Sequence, residues 1–323
     1  MKCDIVIPVY NHIEWVNMCV RAIFANTSMS LIGKIYIIDD CSNKETKDGL
    51  QIIKEKYDSY IEIITNKKNQ GFLKNCNHSF KITKSDYVLL LNSDCLLSNR
   101  AIEKMMNAMN KDNKIGLLCP IATKASNLSF SIKEGYNYQT INKLFEDQFS
   151  GKTFDACTVV GCCLMISRKC INKIGGFDEI YEKGYSEETD YQFKAMKNGF
   201  KAKVLIDTFV FHERRVSFGE DDSINKIREK HLSIFFKRWG KEYDALYKKY
   251  EKNNPIDYIE KNIKYEKMDA PMKVKLDGKN LSEQIEMLNN MIIDNYNVEI
   301  VVAKYNKKWN DYNTIFIPKN KLM

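Results

Sequence analysis

The sequence contains no Cys-x-x-Cys pair, no Gly-x-Gly-x-x-Gly, no internal repeat, and no stretch near the roughly eighteen uncharged residues that span a bilayer. The first absence removes the usual zinc-binding spacing. The second removes a dinucleotide-binding turn after the first strand. The third removes solenoids, and the fourth leaves only peripheral contact with a membrane. The opening residues also lack an apolar leader before a small-residue cleavage site and run directly into a strand-like segment.

What is present is first a set of ten cysteines, all within residues 1–170. Several lie in apolar runs, Cys162 and Cys163 most plainly, where a free thiol behaves as a small hydrophobe. That usage suits a reducing cytoplasm, at most against the inner membrane face. The formal charge of +8 comes mostly from lysine, much of it after residue 222. Anionic lipid or acidic glycan would be attracted to such a surface, but solubility accounts for it equally well, and no nucleic-acid partner is expected.

At 323 residues the chain is long enough for one α/β core and a tail. Strand-like runs are expected at 3–9, 34–39, 61–64, 86–91, 115–119, 156–167 and 203–211, with helical spacing over 11–25, 44–57, 73–81, 99–109 and 187–197. Ser98 is the candidate cap of the 99–109 helix, and Pro120 is expected to end the strand before it. Strands alternating with helices imply a mostly parallel sheet. Residues 122–156 read as a long polar and aromatic excursion outside the core. A basic amphipathic helix is expected over 223–251, carrying Ile227, His231, Ile234, Phe235, Trp239, Tyr243 and Leu246 along one stripe. An irregular linker at 252–270 would then lead to a small α/β unit with strands at 272–276, 298–303 and 314–317 around a helix at 281–295. The expected division is therefore 1–222, 223–270 and 271–323, the last unit being one that could bind acceptor or mediate self-association.

Polar groups collect at the ends of these apolar runs. Pro8-Val9-Tyr10-Asn11, Asp39-Asp40-Cys41-Ser42, Asn92-Ser93-Asp94 and Glu187-Glu188-Thr189-Asp190 each lie where a strand stops or a helix starts. Parallel topology would gather them along one sheet edge, where carboxylates can chelate a hard cation and accept from a donor N–H. Each acidic pair has an ordinary alternative as the acidic first turn of a helix.

The succession of these motifs resembles the family 2 glycosyltransferases of GT-A fold, over roughly residues 1–215. The resemblance implies an α/β, GT-A-like, mostly parallel sheet sandwiched by helices. Pro8, Tyr10 and Asn11 would lie beside the nucleotide, with Asp40 accepting from the base and Asp39 supporting the loop or ribose. Asn69-Gln70-Gly71-Phe72-Leu73-Lys74-Asn75-Cys76-Asn77 is similar to the family's N-x-G-F-x-x-x-x-N segment, which assigns Asn69, Gly71 and Lys74 to the nucleotide. Asn92-Ser93-Asp94 stands in place of D-x-D and departs from it at the first position. Asn92 and Ser93 would then contact ribose or phosphate, and Asp94 would bind Mn2+ or Mg2+, with His212 as a second group facing metal or diphosphate. Arg214, Arg215 and Ser217 follow toward the leaving diphosphate, or form a solvated loop.

Gly161 resembles the small residue beside the transferred sugar, and Gly175-Gly176-Phe177-Asp178-Glu179 matches a G-G-F-D-E turn. Glu188 is the implied base, with Glu187 as the alternative, while Asp178 and Asp190 face the acceptor or donor sugar. Phe235-Phe236-Lys237-Arg238-Trp239 is similar to the Q-x-x-R-W element of processive members but has phenylalanine for glutamine, which favours addition of one or a few sugars. The implied activity is inverting, metal-dependent transfer of a hexose or N-acetylhexosamine from a UDP- or dTDP-sugar to a hydroxyl of a glycan, lipid-linked oligosaccharide or protein. Bacterial surface-polysaccharide synthesis or flagellin decoration is the setting the family suggests. A catalytically degenerate glycan- or nucleotide-binding module of the same fold is the alternative, motivated by Asn92 and Glu188.

Overall fold

The β-branched run Cys3–Val9 is buried on both faces and forms β1, the strand on which the sheet is built. The structure is a computed structural model and describes residues 1–133, 136–182, 184–213, 222–265, 272–276, 281–294 and 298–302. On one side of β1 lie β2 (Ile32–Asp39) and β3 (Ile61–Thr65), and on the other β4 (Tyr87–Leu91), all parallel to it. Beyond β4 run β8 (Cys163–Ser167), β6 (Ile115–Ala122) and β9 (Lys201–His212), with β8 antiparallel to both β4 and β6. The two-residue β5 (Cys95–Leu96) and the short β7 (Thr153–Asp155) pair with β9. The sheet order is β3-β2-β1-β4-β8-β6-β9-β5, with β7 on β9. This is the GT-A type of mixed α/β architecture, helices on both faces.

Helices α1 (Ile13–Asn26), α2 (Lys44–Lys56), α3 (Phe72–Ile82), α4 (Ala101–Lys111) and α7 (Glu187–Lys197) follow the expected spacing. At the lower end of the sheet Asp4 is buried and accepts from Lys34 N, Lys84 N, Ser85 N and Ser85 Oγ at 2.7–3.0 Å. One carboxylate thus joins β1 to the segments entering β2 and β4.

Four sequence expectations are corrected. Pro120 does not end β6; the register shifts between Pro120 and Ile121, and a bulge tolerates the missing N–H. Ser98 is not the cap of α4: that position is Arg100 in the left-handed region, and the Ser98 hydroxyl is buried without a partner among the described residues. Residues 122–156 are not an excursion outside the core. They contain α5 (Tyr138–Phe149), started by a capping box between Asn137 and Thr140. Tyr138, Ile141, Phe145 and Phe149 are buried, and Phe145 packs edge-on against Phe130 and Phe209. Finally, the 252–270 stretch holds α9 (Pro255–Asn262), where Asn254 caps and Pro255 occupies the first turn. A short helix not expected from the sequence, α6 (Arg168–Ile174), follows β8.

The long α8 (Asp222–Lys252) lies on α7, with Phe193 against Phe235, Trp239 and Tyr243. Past it come β10 (Met272–Leu276), α10 (Leu281–Ile293) and β11 (Val298–Val302), with β10 and β11 parallel. Helix α10 touches the main body: Asn26 Nδ2 and Gln139 Nε2 both donate to Ile293 O, and Arg21 pairs with Asp294 at 2.7 Å. The expected strand at 314–317 lies outside the described residues. No helix among the described residues is long and apolar enough to cross a membrane.

Because α5 is core rather than surface, Phe145→Ala should cost about 3–5 kcal/mol in urea unfolding. A loss within about 0.5 kcal/mol, as for a surface site, would contradict this placement.

Candidate active site

The carboxyl ends of β1, β2 and β3 meet in a loop cluster tied by side chains. Asn11 and His12 adopt left-handed backbone at the end of β1. Asn11 N donates to Ser42 Oγ at 2.9 Å, and Asn43 N donates back to Asn11 Oδ1 at 2.8 Å. Tyr10, just before Asn11, is 40 % exposed. Pro8, two residues earlier, is half-buried.

Asp39 and Asp40 divide their work. Asp39 Oδ1 accepts from Ser42 N at 2.8 Å, while its Oδ2 is buried with no partner among the described residues. Asp40 accepts from Asn66 Nδ2, Gln70 N and Gly71 N at 2.8–2.9 Å. A carboxylate has about four acceptor directions, so Asp40 retains one beyond its hold on the loop. Gly71 opens α3 at φ 84°, a conformation a side chain would disfavour. Asn69 and Lys74 flank it and are exposed.

The second cluster forms where β4 ends. Asn92-Ser93-Asp94-Cys95 closes a turn in which Cys95 N donates to Asn92 O at 3.0 Å, and Asn92 N donates to Cys162 O at 2.9 Å. The next residues form β5, whose register sets Cys95 opposite His212 at the end of β9. Asp94 Oδ1 consequently faces His212 Nε2 at 3.6 Å, and both residues are buried. The other ring nitrogen, Nδ1, is buried without a partner among the described residues. Burial would lower the His212 imidazole, but the Cys162 thiol group and Asp94 outweigh it and raise it to about 9. A carboxylate oxygen facing an imidazole nitrogen fits a divalent cation, and nitrogen suits Mn2+ better than Mg2+. Asn92 adds an uncharged amide at the same turn. Arg214, Arg215 and Ser217 lie outside the described residues.

The third cluster adjoins the second through Cys162. Glu188 Oε1 lies 3.5 Å from where a Cβ on Gly161 would stand, an ordinary contact distance, so the carboxylate lies against the backbone of Gly161. Glu187 and Glu188 are neighbours at the start of α7, and each has a buried Oε2 with no hydrogen-bond partner among the described residues. Burial first, then the Glu188 charge, pushes Glu187 well above the usual carboxylate range. Burial also raises Glu188, opposed by backbone N–H groups and by Glu187. Burial and mutual charge thus favour the protonated form of the pair, Glu187 most strongly. Ahead of them Gly184, Tyr185 and Ser186 all have positive φ, a strained entry to α7. His231 of α8 holds this entry, its Nδ1 lying 2.8 Å from Gly184 O.

Asp178 and Asp190, grouped from the sequence with Gly161, both contact α8. Asp190 is buried and accepts at Oδ1 from Tyr181 Oη, Arg238 Nη1 and Trp239 Nε1 at 2.8–3.2 Å. Asp178 Oδ2 accepts from the same Arg238 at 2.8 Å. Both border an open hollow of about 440 Å³ between α7 and α8.

Sequence reasoning passed over several organising residues. Asn77 pairs with both backbone groups of Phe177, at 2.7 and 2.9 Å, and so ties α3 to the turn before α7. Asn66 bridges Asp40 and Asn75. Asn77 stood within the N-x-G-F motif and was legible as its last member; Asn66 carried no signal.

Asp190→Ala should lower stability by about 1–3 kcal/mol in urea unfolding, because Trp239 Nε1 and Tyr181 Oη lose a buried acceptor. Asp178→Ala removes an exposed ion pair and the bond that Asp178 Oδ1 accepts from Ile180 N at 3.0 Å, and should cost less, about 1 kcal/mol. Equal effects would contradict this account of how α8 is anchored.

Comparison with known proteins bears on this arrangement. Residues 4–175 match the sequence profile of glycosyl transferase family 2. The chain is 22 % identical over 240 residues to an uncharacterized glycosyltransferase of Haemophilus influenzae, covering 71 % of this chain and 76 % of that protein. It is 32 % identical over 113 residues to the poly(ribitol-phosphate) beta-N-acetylglucosaminyltransferase TarP of Staphylococcus aureus, covering 35 % of this chain and 34 % of that one. In fold it resembles GalNAc-T7 solved with UDP, GalNAc and Mn2+, at a TM-score of 0.61 and 16 % identity, over 92 % of this chain and 55 % of the other. With a profile that covers more than half its length and a GT-A sheet whose strand ends carry the expected polar groups, the chain belongs to glycosyl transferase family 2.

Proposed function

We propose that the chain is an inverting, cation-dependent transferase that moves a hexose or N-acetylhexosamine from a UDP- or dTDP-sugar to a hydroxyl group. The observation that carries this reading is the continuity of the second and third clusters. Asp94 faces His212, His212 neighbours Cys162, and Gly161 next to it lies against Glu188. A cation-binding corner and a carboxylate capable of taking a proton therefore border one another. The relatives named above, one a beta-N-acetylglucosaminyltransferase and one solved with UDP and Mn2+, support the donor class.

In this reading the nucleotide lies over the ends of β1 and β2. Tyr10 offers a ring face to the base, Asp40 has its remaining acceptor position for the imide N–H, and Asp39 supports the loop. Gly71, Asn69 and Lys74 border the same loop, and Asn92 and Ser93 lie toward the ribose and phosphates. Asp94 and His212 would hold Mn2+ or Mg2+, which when bound neutralises charge on the departing diphosphate. Gly161 leaves space for the sugar. Glu188 accepts the proton of the acceptor hydroxyl as its oxygen bonds to the anomeric carbon from the face opposite the breaking diphosphate bond. One substitution at carbon with one base gives inversion. Glu187, keeping its proton, donates to Glu188 and orients it.

The acceptor is taken to be a hydroxyl on a surface polysaccharide, lipid-linked oligosaccharide or protein such as flagellin. The chain spans about a third of the Staphylococcus relative's length, and α10 with its two strands is the segment proposed to meet the acceptor or a second copy.

With UDP-N-acetylglucosamine or dTDP-sugars and Mn2+, slow release of nucleoside diphosphate is expected and should be lost in Asp94→Ala. Glu188→Gln should lower kcat by about 10²- to 10⁴-fold, whereas Glu187→Gln, which preserves a donor, should stay within about 10-fold. The reverse order would make Glu187 the base, and nucleotide binding without release from any donor would indicate a binding module.

The raised carboxylates also fix a pH dependence. Activity should be gained as pH rises through a value above the ordinary carboxylate range, because Glu188 must be ionised to accept a proton. Stability should respond in the opposite sense. Between the ordinary and the raised pKa the folded chain binds more protons than the unfolded one, so the pair's contribution is full below that window and falls as pH rises through it. A kcat/KM profile that is flat down into the ordinary carboxylate range would contradict the base assignment.

A further inference from the structure

The described residues gather one group of thiol and imidazole ligands whose two thiols the proposed transfer does not use. Cys95 Sγ, Cys162 Sγ and a ring nitrogen of His212 all lie within 4.8 Å of one another, and all three residues are buried. They come from three separate places in the fold. Cys95 opens β5, Cys162 immediately precedes β8, and His212 ends β9. Their backbones are fixed independently of any ligand. Cys95 pairs with His212 in the β5–β9 ladder, and Cys162 O accepts from Asn92 N at 2.9 Å and from Cys95 Sγ at 3.3 Å. His212 Nδ1 is buried with no hydrogen-bond partner among the described residues.

We propose that Cys95, Cys162 and His212 form a binding site for a borderline-soft divalent cation, Zn2+. Two sulfurs and one imidazole nitrogen are the ligand types Zn2+ prefers over the all-oxygen sets of Mg2+ or Ca2+, and three protein ligands leave one position open. These ligands show no zinc-like spacing along the chain because strand pairing rather than a short loop joins them. Binding replaces two protons. If both thiols start protonated, each releases one; if Cys162 starts as thiolate beside a protonated imidazole, one leaves His212 and one leaves Cys95. Two protons per cation are expected from either starting state.

The site shares His212 with the cation corner proposed for the donor diphosphate but does not depend on Asp94. Zn2+ on the thiol side and Mn2+ on the Asp94 side would therefore draw on one imidazole.

X-ray absorption on the full chain loaded with one equivalent of Zn2+ tests the site without any substitution. Two sulfur neighbours at about 2.3 Å with nitrogen or oxygen completing the shell are expected. A shell of oxygen and nitrogen alone would overturn the proposal. With Co2+ in place of Zn2+, sulfur-to-metal charge-transfer absorption should appear in the wild type and in Asp94→Ala, weaken in Cys95→Ala and in Cys162→Ala, and vanish in the double variant. Each single cysteine variant should also weaken Zn2+ binding by at least about 10- to 100-fold, the loss that even an outer hydrogen bond to a metal ligand causes. Unchanged affinity in both cysteine variants, or loss of binding in Asp94→Ala alone, would assign the cation to the carboxylate and overturn the thiol site. Asp94→Ala separates the two readings: it should abolish nucleoside diphosphate release while leaving the sulfur-bound cation in place.

Discussion

The two-residue ladder between Cys95-Leu96 and Phe211-His212 is the contact on which the site depends. β4 delivers an apolar run to the sheet edge, and a tight turn held by Cys162 O reverses it onto β9. Without that ladder, Asp94 would be a strand-end carboxylate in solvent and His212 a strand-end imidazole with nothing opposite. With it, two groups far apart in the chain face each other at 3.6 Å inside the fold. The insertion of β8 antiparallel between β4 and β6 has a matching effect on the other side, since it carries Gly161 and Cys162 into the same corner.

The start of α7 is braced differently. Glu187 and Glu188 start α7, and that start is held by groups outside the sheet. Asn77 grips Phe177 from α3, His231 meets Gly184 from α8, and Asp190 gathers Arg238, Trp239 and Tyr181. Helix α8 is thus a clamp on α7, which gives the basic amphipathic stripe a use beyond solubility. The strained backbone at 184–186 persists because these contacts over-determine it. Two buried carboxylates side by side would repel if both were ionised, and burial together with that repulsion raises Glu187 above the usual carboxylate range.

Much of this was legible in the residues. β1 and α7 have the expected bounds, because β-branched runs buried on both faces and a helix closed by Asn198-Gly199 leave little freedom. The helix α5 escaped notice because polar residues interrupt its apolar face. Gln139 and Asn142 are buried, but they are satisfied by Asn26, by Lys104 and by the Phe209 N–H, partners remote in sequence. Asn254-Pro255 read as a linker turn, though the same two residues are a cap and a first-turn proline when a helix follows. At the site, the residue types pointed to chemistry, but their pairing did not. Nothing local announces that Asp94 meets His212, that Asp190 serves α8, or that Cys95 and Cys162 adjoin, since each depends on strand register or helix docking.

The central claim is that Asp94 and His212 together form the cation corner beside the nucleotide. A crystal structure of the chain with UDP and Mn2+ tests it most directly. The account predicts one Mn2+ bound by Asp94 and His212 and touching the diphosphate, with the uracil over the ends of β1 and β2. Mn2+ bound elsewhere, or UDP seated with neither residue near its diphosphate, would contradict it.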